Sequence, residues 1–418
     1  MTDTRGRAAS PSAPSIAVMG ALDTKGAEVQ FLKEQIEARG KRVLVIDTGV
    51  LGTPAFTPDV TRDEVAEAGG ATIAALVAES DRGHAVTVMT EGARLVVSKL
   101  FEDGRLAGVV GLGGGAGTAV GTAAMRALPL GIPKLMVSTL ASSDVRGFVG
   151  VKDITMMPTI VDVSGLNRIS RRIFAQAAGA ICGMVDAKVP ETAADKPLVA
   201  ASMFGNTTKC VEAARPVIEN AGYELLVFHA TGSGGQTMES LIEAGQIAGV
   251  LDVTTTEWAD ELMGGVMSAG PTRLEAAAKS GTPAVVAPGC LDMVCFWKPE
   301  TVPEKYRNHR IYFHNPNITL VRTTPDDNVE LGRIVAGKLN LSTGPIAVYF
   351  PTKGLSVVST TGGPYSWPEA DQALLESLKR HLRPGIPVHV FDTHINDPAF
   401  AEAMARGLLD LMARKAAR

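Results

Sequence analysis

Aromatic residues are scarce in this chain, 5% of 418 positions. That argues against the stacking platforms on which single-stranded nucleic acids lie. Positive charge is not in excess: 40 Lys and Arg against 44 Asp and Glu leave a net charge of −4, which excludes binding to nucleic acid through a basic face. Cysteines are few, and Cys182, Cys210, Cys290 and Cys295 form no CxxC pair. They suit core thiols in a reducing compartment. The sequence has no GxxxxGK[ST], HExxH or GxSxG motif and no zinc spacing, so four standard chemistries drop out. A long apolar run is missing too. The most apolar region, the glycine-rich centre, is broken by its glycines, Arg126 and Pro129, and no membrane span is expected. Residues 1–15, MTDTRGRAASPSAPS, hold no apolar segment and read as a disordered leader, and the protein is expected in the cytoplasm.

What is abundant is glycine, 44 residues, in a chain that is 45% hydrophobic and 20% charged. These values describe a globular protein with a large core and many strand-to-helix turns. The densest stretch runs from Leu106 to Val137. Ala107 to Val110 reads as a buried strand, Gly111, Gly113, Gly114, Gly115 and Gly117 as a loop nearly without side chains, and Thr118 to Ala127 as a helix of small residues. Lys134 to Val137 reads as a second buried strand. This is the pattern of a parallel sheet whose loops bind ligands at the strand ends. Glycines let backbone approach an anion, and the following helix starts with free N–H groups. Two readings stay open: a phosphate cradle with Thr118 as N-cap or hydroxyl donor, or a tight turn with close helix–sheet packing.

The same grammar extends both ways. Ile16 to Gly20 is a strand whose loop offers Asp23, Thr24 and Lys25, as metal ligand, hydroxyl and phosphate cation or as a plain helix cap. Arg42 to Asp47 is a second strand ending in Asp47-Thr48-Gly49, where ribose hydroxyls are often held, although the first turn is not GxGxxG. Ala71 to Arg82 and Ala93 to Asp103 read as helices separated by a Thr90-Glu91-Gly92 loop. Ser138 and Thr139 open a hydroxyl cluster after the strand at Lys134. The proline- and charge-bearing segment 186–197 separates a first domain, 16–190, from a second, 197–418.

In the second half, strands end in titratable or hydroxyl groups. Glu257 and Asp260 lie three apart at a helix start, where they could share a metal or a proton or merely cap the helix. Asp292 follows the strand at Ala284, His314 the strand at Ile311, Lys353 the strand at Ile346, and His394 and Asp397 the strand at Val388. Arg322 could clamp an anion or sit in a salt bridge. The expected fold is therefore α/β: two doubly wound, Rossmann-like domains with mostly parallel sheets facing a shared cleft.

The segments GALDTKGAE, GLGGGAGT, SMFGNTT, HATGSGGQTME, TTTEWAD, SAGPTRLEAA, FHNPN, RTTPDDN and HINDPAF also occur here in order. In these the chain, after Ser15, resembles the family typified by the ATP-binding inhibitory domain of the plant tobamovirus-resistance protein. The resemblance implies two Rossmann-like subdomains, a homodimer and ATP as cofactor; the plant protein's viral partner is not carried over. It also implies small or amide residues in place of Cys290 and Cys295, against a catalytic thiol. The site expected on the first domain comprises Gly20, Asp23, Thr24, Lys25, Asp47, Gly49, Gly113, Gly114, Gly115, Gly117, Thr118, Ser138 and Thr139, with Asp23 as the contact for any Mg²⁺. Glu257, His314, Asp292 and Lys353 are the catalytic candidates. The expected function is an ATP-binding soluble enzyme acting on a small polar or anionic substrate. The alternative is a nucleotide-binding regulatory or interaction module without turnover.

Overall fold

Short runs rich in β-branched and aliphatic residues make the strands here; the central ones are buried on both faces, and successive side chains point alternately to one of two helix layers. A computed structural model describes residues 13–188 and 195–417. The chain divides into two compact units, 1–191 and 192–418. Most of the expected leader and part of the linker, 189–194, lie outside the described residues.

In the first unit, β1 (Ser15–Gly20), β2 (Val43–Asp47), β3 (Leu106–Gly113), β4 (Lys134–Ser138) and β5 (Thr155–Pro158) form one parallel sheet in the order β2-β1-β3-β4-β5. Ala17 and Met19 of β1 face helices Arg62–Ala68, Arg82–Glu102 and Gly115–Arg126. Ile16 and Val18 face helices Leu22–Glu37 and Arg168–Asp186 on the other side. The strand order reverses between β1 and β3, so their loops diverge to opposite faces and leave a crevice at the carboxyl edge.

In the second unit, β6 (Leu198–Met203), β7 (Glu224–His229), β8 (Ile247–Thr254), β9 (Ala284–Gly289), β13 (Ile346–Pro351) and β14 (Val388–Phe391) form a parallel sheet. Its order, β7-β6-β8-β9-β13-β14, repeats the strand order of the first unit with one strand added. A small antiparallel sheet stands apart: β10 (Met293–Phe296), β11 (Ile311–Asn315) and β12 (Ile318–Arg322), in the order β10-β12-β11. Among the described residues no helix is long and apolar enough to cross a membrane.

Three differences from the sequence reading have physical causes. Thr90-Glu91-Gly92 is no loop but the middle of helix Arg82–Glu102. Gly92 is required there because helix Arg62–Ala68 crosses against it: a Cβ would lie 1.8 Å from the Val65 carbonyl oxygen. β5 carries too little apolar pattern to be noticed, being half exposed. β11 is one arm of an antiparallel hairpin whose turn contains Asn315 to Asn317, so His314 does not belong to the edge of the parallel sheet.

Gly92→Ala is expected to cost about 3 kcal/mol through overpacking. Gly183→Ala, in helix Arg168–Asp186 with nothing within 4 Å of the new Cβ, should gain about 0.5–1 kcal/mol. Urea denaturation of both variants checks the sign of each.

Candidate functional site

The crevice at the β1/β3 reversal is a cavity of about 490 Å³. Asp23 and Thr24 reach it from the first turn of helix Leu22–Glu37, Thr48 to Leu51 from the loop after β2, and Ala116, Gly117 and Val120 from the helix after β3. Leu76, Val77, Val86 and Met89, from helices Ile73–Glu79 and Arg82–Glu102, complete an apolar wall, with Arg82 at its rim.

The expected residues divide into those facing this cavity and those engaged in holding the loops. Asp47 is fully buried, and its Oδ1 accepts from the N–H groups of Leu22 (2.9 Å) and Gly49 (2.8 Å). Burial pushes its carboxyl above the usual range, and the neighbouring Asp23 adds to the shift. It fixes two loops and does not line the cavity. The Lys25 ammonium donates to the Val163 carbonyl, outside the cavity lining. Asp23 does line it: Oδ2 accepts from Leu51 N–H at 2.7 Å, while Oδ1 is buried with no protein partner. Gly49 must lack a side chain because a Cβ would sit 2.7 Å from that Oδ1.

The glycines of the central loop have different causes. A Cβ on Gly20 would strike Val29 at 2.5 Å, and one on Gly113 would lie 2.9 Å from the Gly117 Cα. These are packing glycines. Gly114 and Gly115 are not: their nearest neighbours would be Thr139 Oγ1 at 3.7 Å and Leu140 Cδ1 at 3.9 Å, ordinary contacts. Gly114 caps helix Gly115–Arg126 without a side-chain bond, whereas Thr61, Thr72, Asp81 and Asn167 each cap their own helix. Thr118 is no free hydroxyl donor. Its Oγ1 bonds the Gly114 carbonyl at 2.7 Å and the Ser138 hydroxyl at 2.6 Å, and Ser138 also accepts from Leu140 N–H. Thr139 stays partly exposed beside Gly114.

In the second unit the catalytic candidates do not converge. Arg273, 1% exposed, is surrounded by three carboxylates: Glu257 on Nε at 2.6 Å, Asp252 on both terminal nitrogens at 2.6 and 2.7 Å, and Glu239 at 3.1 Å. The other Glu257 oxygen accepts from Gly232 and Gly235 N–H. Its carboxyl is pushed up by burial and pulled back by Arg273, with a net upward shift, and none of its oxygens is free for a substrate. Asp260 shares no ligand with it; Asp260 instead accepts from Met267 N–H (3.0 Å) and Cys295 N–H (3.2 Å). His314 is exposed on the hairpin. Lys353 pairs with Asp392 at 3.1 Å in solvent. Asp292 is buried, Oδ2 accepting from the Ser356 hydroxyl at 2.6 Å. Arg322, which could have clamped an anion, is buried and bound to Asp371 at 2.5 Å and the Tyr365 carbonyl at 3.0 Å. Burial pushes the Cys290 and Cys295 thiols well up, as inert core thiols require. Among the described residues no three His, Cys, Asp or Glu side chains gather around a metal position.

The sequence reading missed Arg273, whose partners lie 16, 21 and 34 residues away. It also missed the apolar wall, because Val86 and Met89 fall between the two helices expected at Ala71 to Arg82 and Ala93 to Asp103.

Two outcomes follow from these burials. Arg273→Met should cost about 4 kcal/mol, because three carboxylates would be left buried without a counter-charge. Burial pushes Asp260 up to about 8, so its proton is bound in the folded state at pH values where the unfolded chain has released it. Its stabilising effect is therefore complete below about pH 4 and is lost as pH rises through 8. Stability should fall by on the order of 4 kcal/mol between pH 5 and pH 8 from this group alone. Asp260→Asn should flatten that slope in urea titrations, and an unchanged slope would contradict the assignment.

Comparison with known proteins places the whole described chain in one family. Residues 14–190 match the N-terminal domain of the Uncharacterised protein family (UPF0261), and residues 196–412 match its C-terminal domain. A UPF0261 protein of Clostridium tetani is 48% identical over 398 residues, covering 95% of this chain and 98% of that protein. One from Rhizobium meliloti is 45% identical over 401 residues, with coverages of 95% and 98%. The ToMV resistance protein Tm-1(GCR237) of Solanum lycopersicum is 34% identical over 427 residues, covering 96% of this chain but 56% of the tomato protein. Both halves of the molecule, each with its own parallel sheet, thus carry the signature of the same group: the chain belongs to the Uncharacterised protein family (UPF0261).

Proposed function

We propose that the first unit binds a nucleotide, ATP being the leading ligand, in the crevice between the ends of β1 and β3. The observation that carries this reading is the pair Gly114 and Gly115. The fold has room for a side chain at both, yet both are glycine, at the uncapped start of a 12-residue helix whose next two residues line a 490 Å³ cavity. A phosphate group brought against this backbone would meet free N–H groups and the positive end of the helix. The wall of Leu76, Val77, Val86 and Met89 suits a nucleobase.

A polyphosphate would lie in the same cavity as the Asp23 carboxylate, which repels it unless a cation intervenes. Asp23 Oδ1, without a protein partner, fits that role. Mg²⁺ is commonly held by one or two carboxylates together with phosphate oxygens and water, and would supply charge neutralisation here. Asp47 contributes by fixing the loops that carry Asp23 and Gly49.

Of the two functions left open by the sequence, the module without turnover is the better supported. Of the groups expected to move protons in the second unit, Glu257 is held by Arg273 and two N–H groups and Lys353 pairs with Asp392, while Asp292 is buried with one oxygen on Ser356 and the other unpartnered, and His314 is exposed on the hairpin. Purified protein given ATP, Mg²⁺ and pooled metabolites is expected to bind the nucleotide and release no ADP. Sustained ADP release would restore the enzyme.

Calorimetry tests the site itself. Gly114→Ala meets no atom closer than 3.7 Å and should fold normally while losing at least about tenfold in ATP affinity. Asp23→Asn should lose the Mg²⁺-dependent part of the affinity and keep the rest. A folded Gly114→Ala protein with unchanged ATP affinity would overturn the phosphate role.

A further inference from the structure

The largest of the cavities described lies in the second unit, at the opposite, amino-terminal edge of its sheet. It measures about 720 Å³ and occupies the place where β9, β13 and β14 begin. Its charged lining is Arg383, Arg414 and Lys415, and no carboxylate lines it. We infer that this cavity is a second binding site, independent of the nucleotide site, for a small multivalent anion such as a polyphosphate or a polycarboxylate.

Among the described residues, arginines elsewhere in this unit are of two kinds: Arg307, Arg310 and Arg380 make no carboxylate pair and line none of the cavities described, and the others are matched to acids. Arg215, Arg273, Arg322, Arg333 and Arg406 each pair with a carboxylate. Among the described residues, Arg383, Arg414 and Lys415 make no such pair although they share one concavity. Arg383 is held in place: its backbone N–H donates to Asn340 Oδ1 at 2.8 Å and its Nη2 to the Ser342 carbonyl at 2.6 Å. The rest of its guanidinium fork is left for a bidentate contact to an oxyanion.

Four helix ends could account for some of this charge. Helices Glu275–Ser280, Pro325–Leu339, Pro368–His381 and Pro398–Ala416 all finish at this edge, and cations favour helix C-termini. The magnitudes decide against that as the whole explanation. Each end carries at most about half a negative charge, so four ends offset roughly two of three full cations. A positive excess remains in a chain whose net charge is −4. Like charges gathered without a counter-ion are eased by a ligand that brings one.

The test uses the full chain and two probes, citrate and inorganic pyrophosphate, titrated calorimetrically at low ionic strength. Binding of either probe is expected, weakened at least tenfold in Arg414→Glu/Lys415→Glu, whose exposed changes at a helix end leave folding intact. Arg383→Ala should weaken it as well. Binding of citrate alone or of pyrophosphate alone supports the site and names its anion class. Because pyrophosphate could also enter the first unit, both titrations are repeated in Gly114→Ala protein, where the charge-reversal effect should persist. No binding of either probe, or binding that the charge reversal leaves unchanged, overturns the inference. Loss of binding in Gly114→Ala alone overturns it too, by moving the anion to the first unit. Failure of ATP binding in the first unit leaves this result standing.

Discussion

A parallel sheet leaves a row of loops at its carboxyl edge, and the backbone groups buried beneath those loops must find partners. That requirement governs both units. In the first, one carboxylate oxygen of Asp47 satisfies two N–H groups from different loops and so fixes the floor of the crevice. In the second, the same duty falls on charges: Asp252 accepts from the Ser202 hydroxyl, Glu257 takes the N–H groups of Gly232 and Gly235, and Glu239 takes those of Leu274 and Ala276. Arg273 makes this arrangement tolerable by neutralising part of the charge. Buried ions are costly unless both paired and hydrogen-bonded, and here every partner is both.

This division of labour explains why acidic residues at strand ends misled a reading based on sequence. Glu257, Asp260 and Asp292 stand where catalytic groups stand in doubly wound proteins, and nothing in their local sequence distinguishes a ligand contact from a loop anchor. The distinction depends on partners well outside the local segment, such as Arg273, 16 residues from Glu257, and Ser356, 64 from Asp292. His314 misled for another reason. Its strand has the composition of a buried sheet element, but it pairs with its immediate neighbour β12 in a hairpin, and a short apolar run does not reveal whether its partner is parallel.

The fold was far more legible than the site. The continuous apolar run of β1, the glycine turn after β3 and the repeat of strand and helix through both halves are local signals, each contained in about ten residues. Strand order was not legible there; right-handed crossovers only narrow the alternatives. The crevice at the strand reversal was legible through Asp23, Gly49 and Gly117, which do line it. Its apolar wall was not, because the helix that supplies Val86 and Met89 runs through Gly92, and a glycine within a helix reads as a break unless the crossing helix is known.

Glycine therefore carries different meanings within one loop, and only geometry separates them. Gly113 lets its strand touch the helix at Gly117; Gly49 yields its space to the Asp23 carboxylate. At Gly114 and Gly115 the protein itself neither fills the space beside them nor bends their backbone into the left-handed region, an openness they share with Gly147, Gly183 and Gly337; what sets the pair apart is its place at the start of a helix whose next two residues line the crevice. A Cβ there would cost the folded chain nothing, and replacing glycine by alanine at a compatible position normally stabilises it by limiting the unfolded state. Retaining glycine at both thus forgoes stability that the fold could have had. An object outside the chain, brought close against the backbone, gives that sacrifice a physical reason, and the uncapped helix behind the two residues makes a negatively charged object the favoured one.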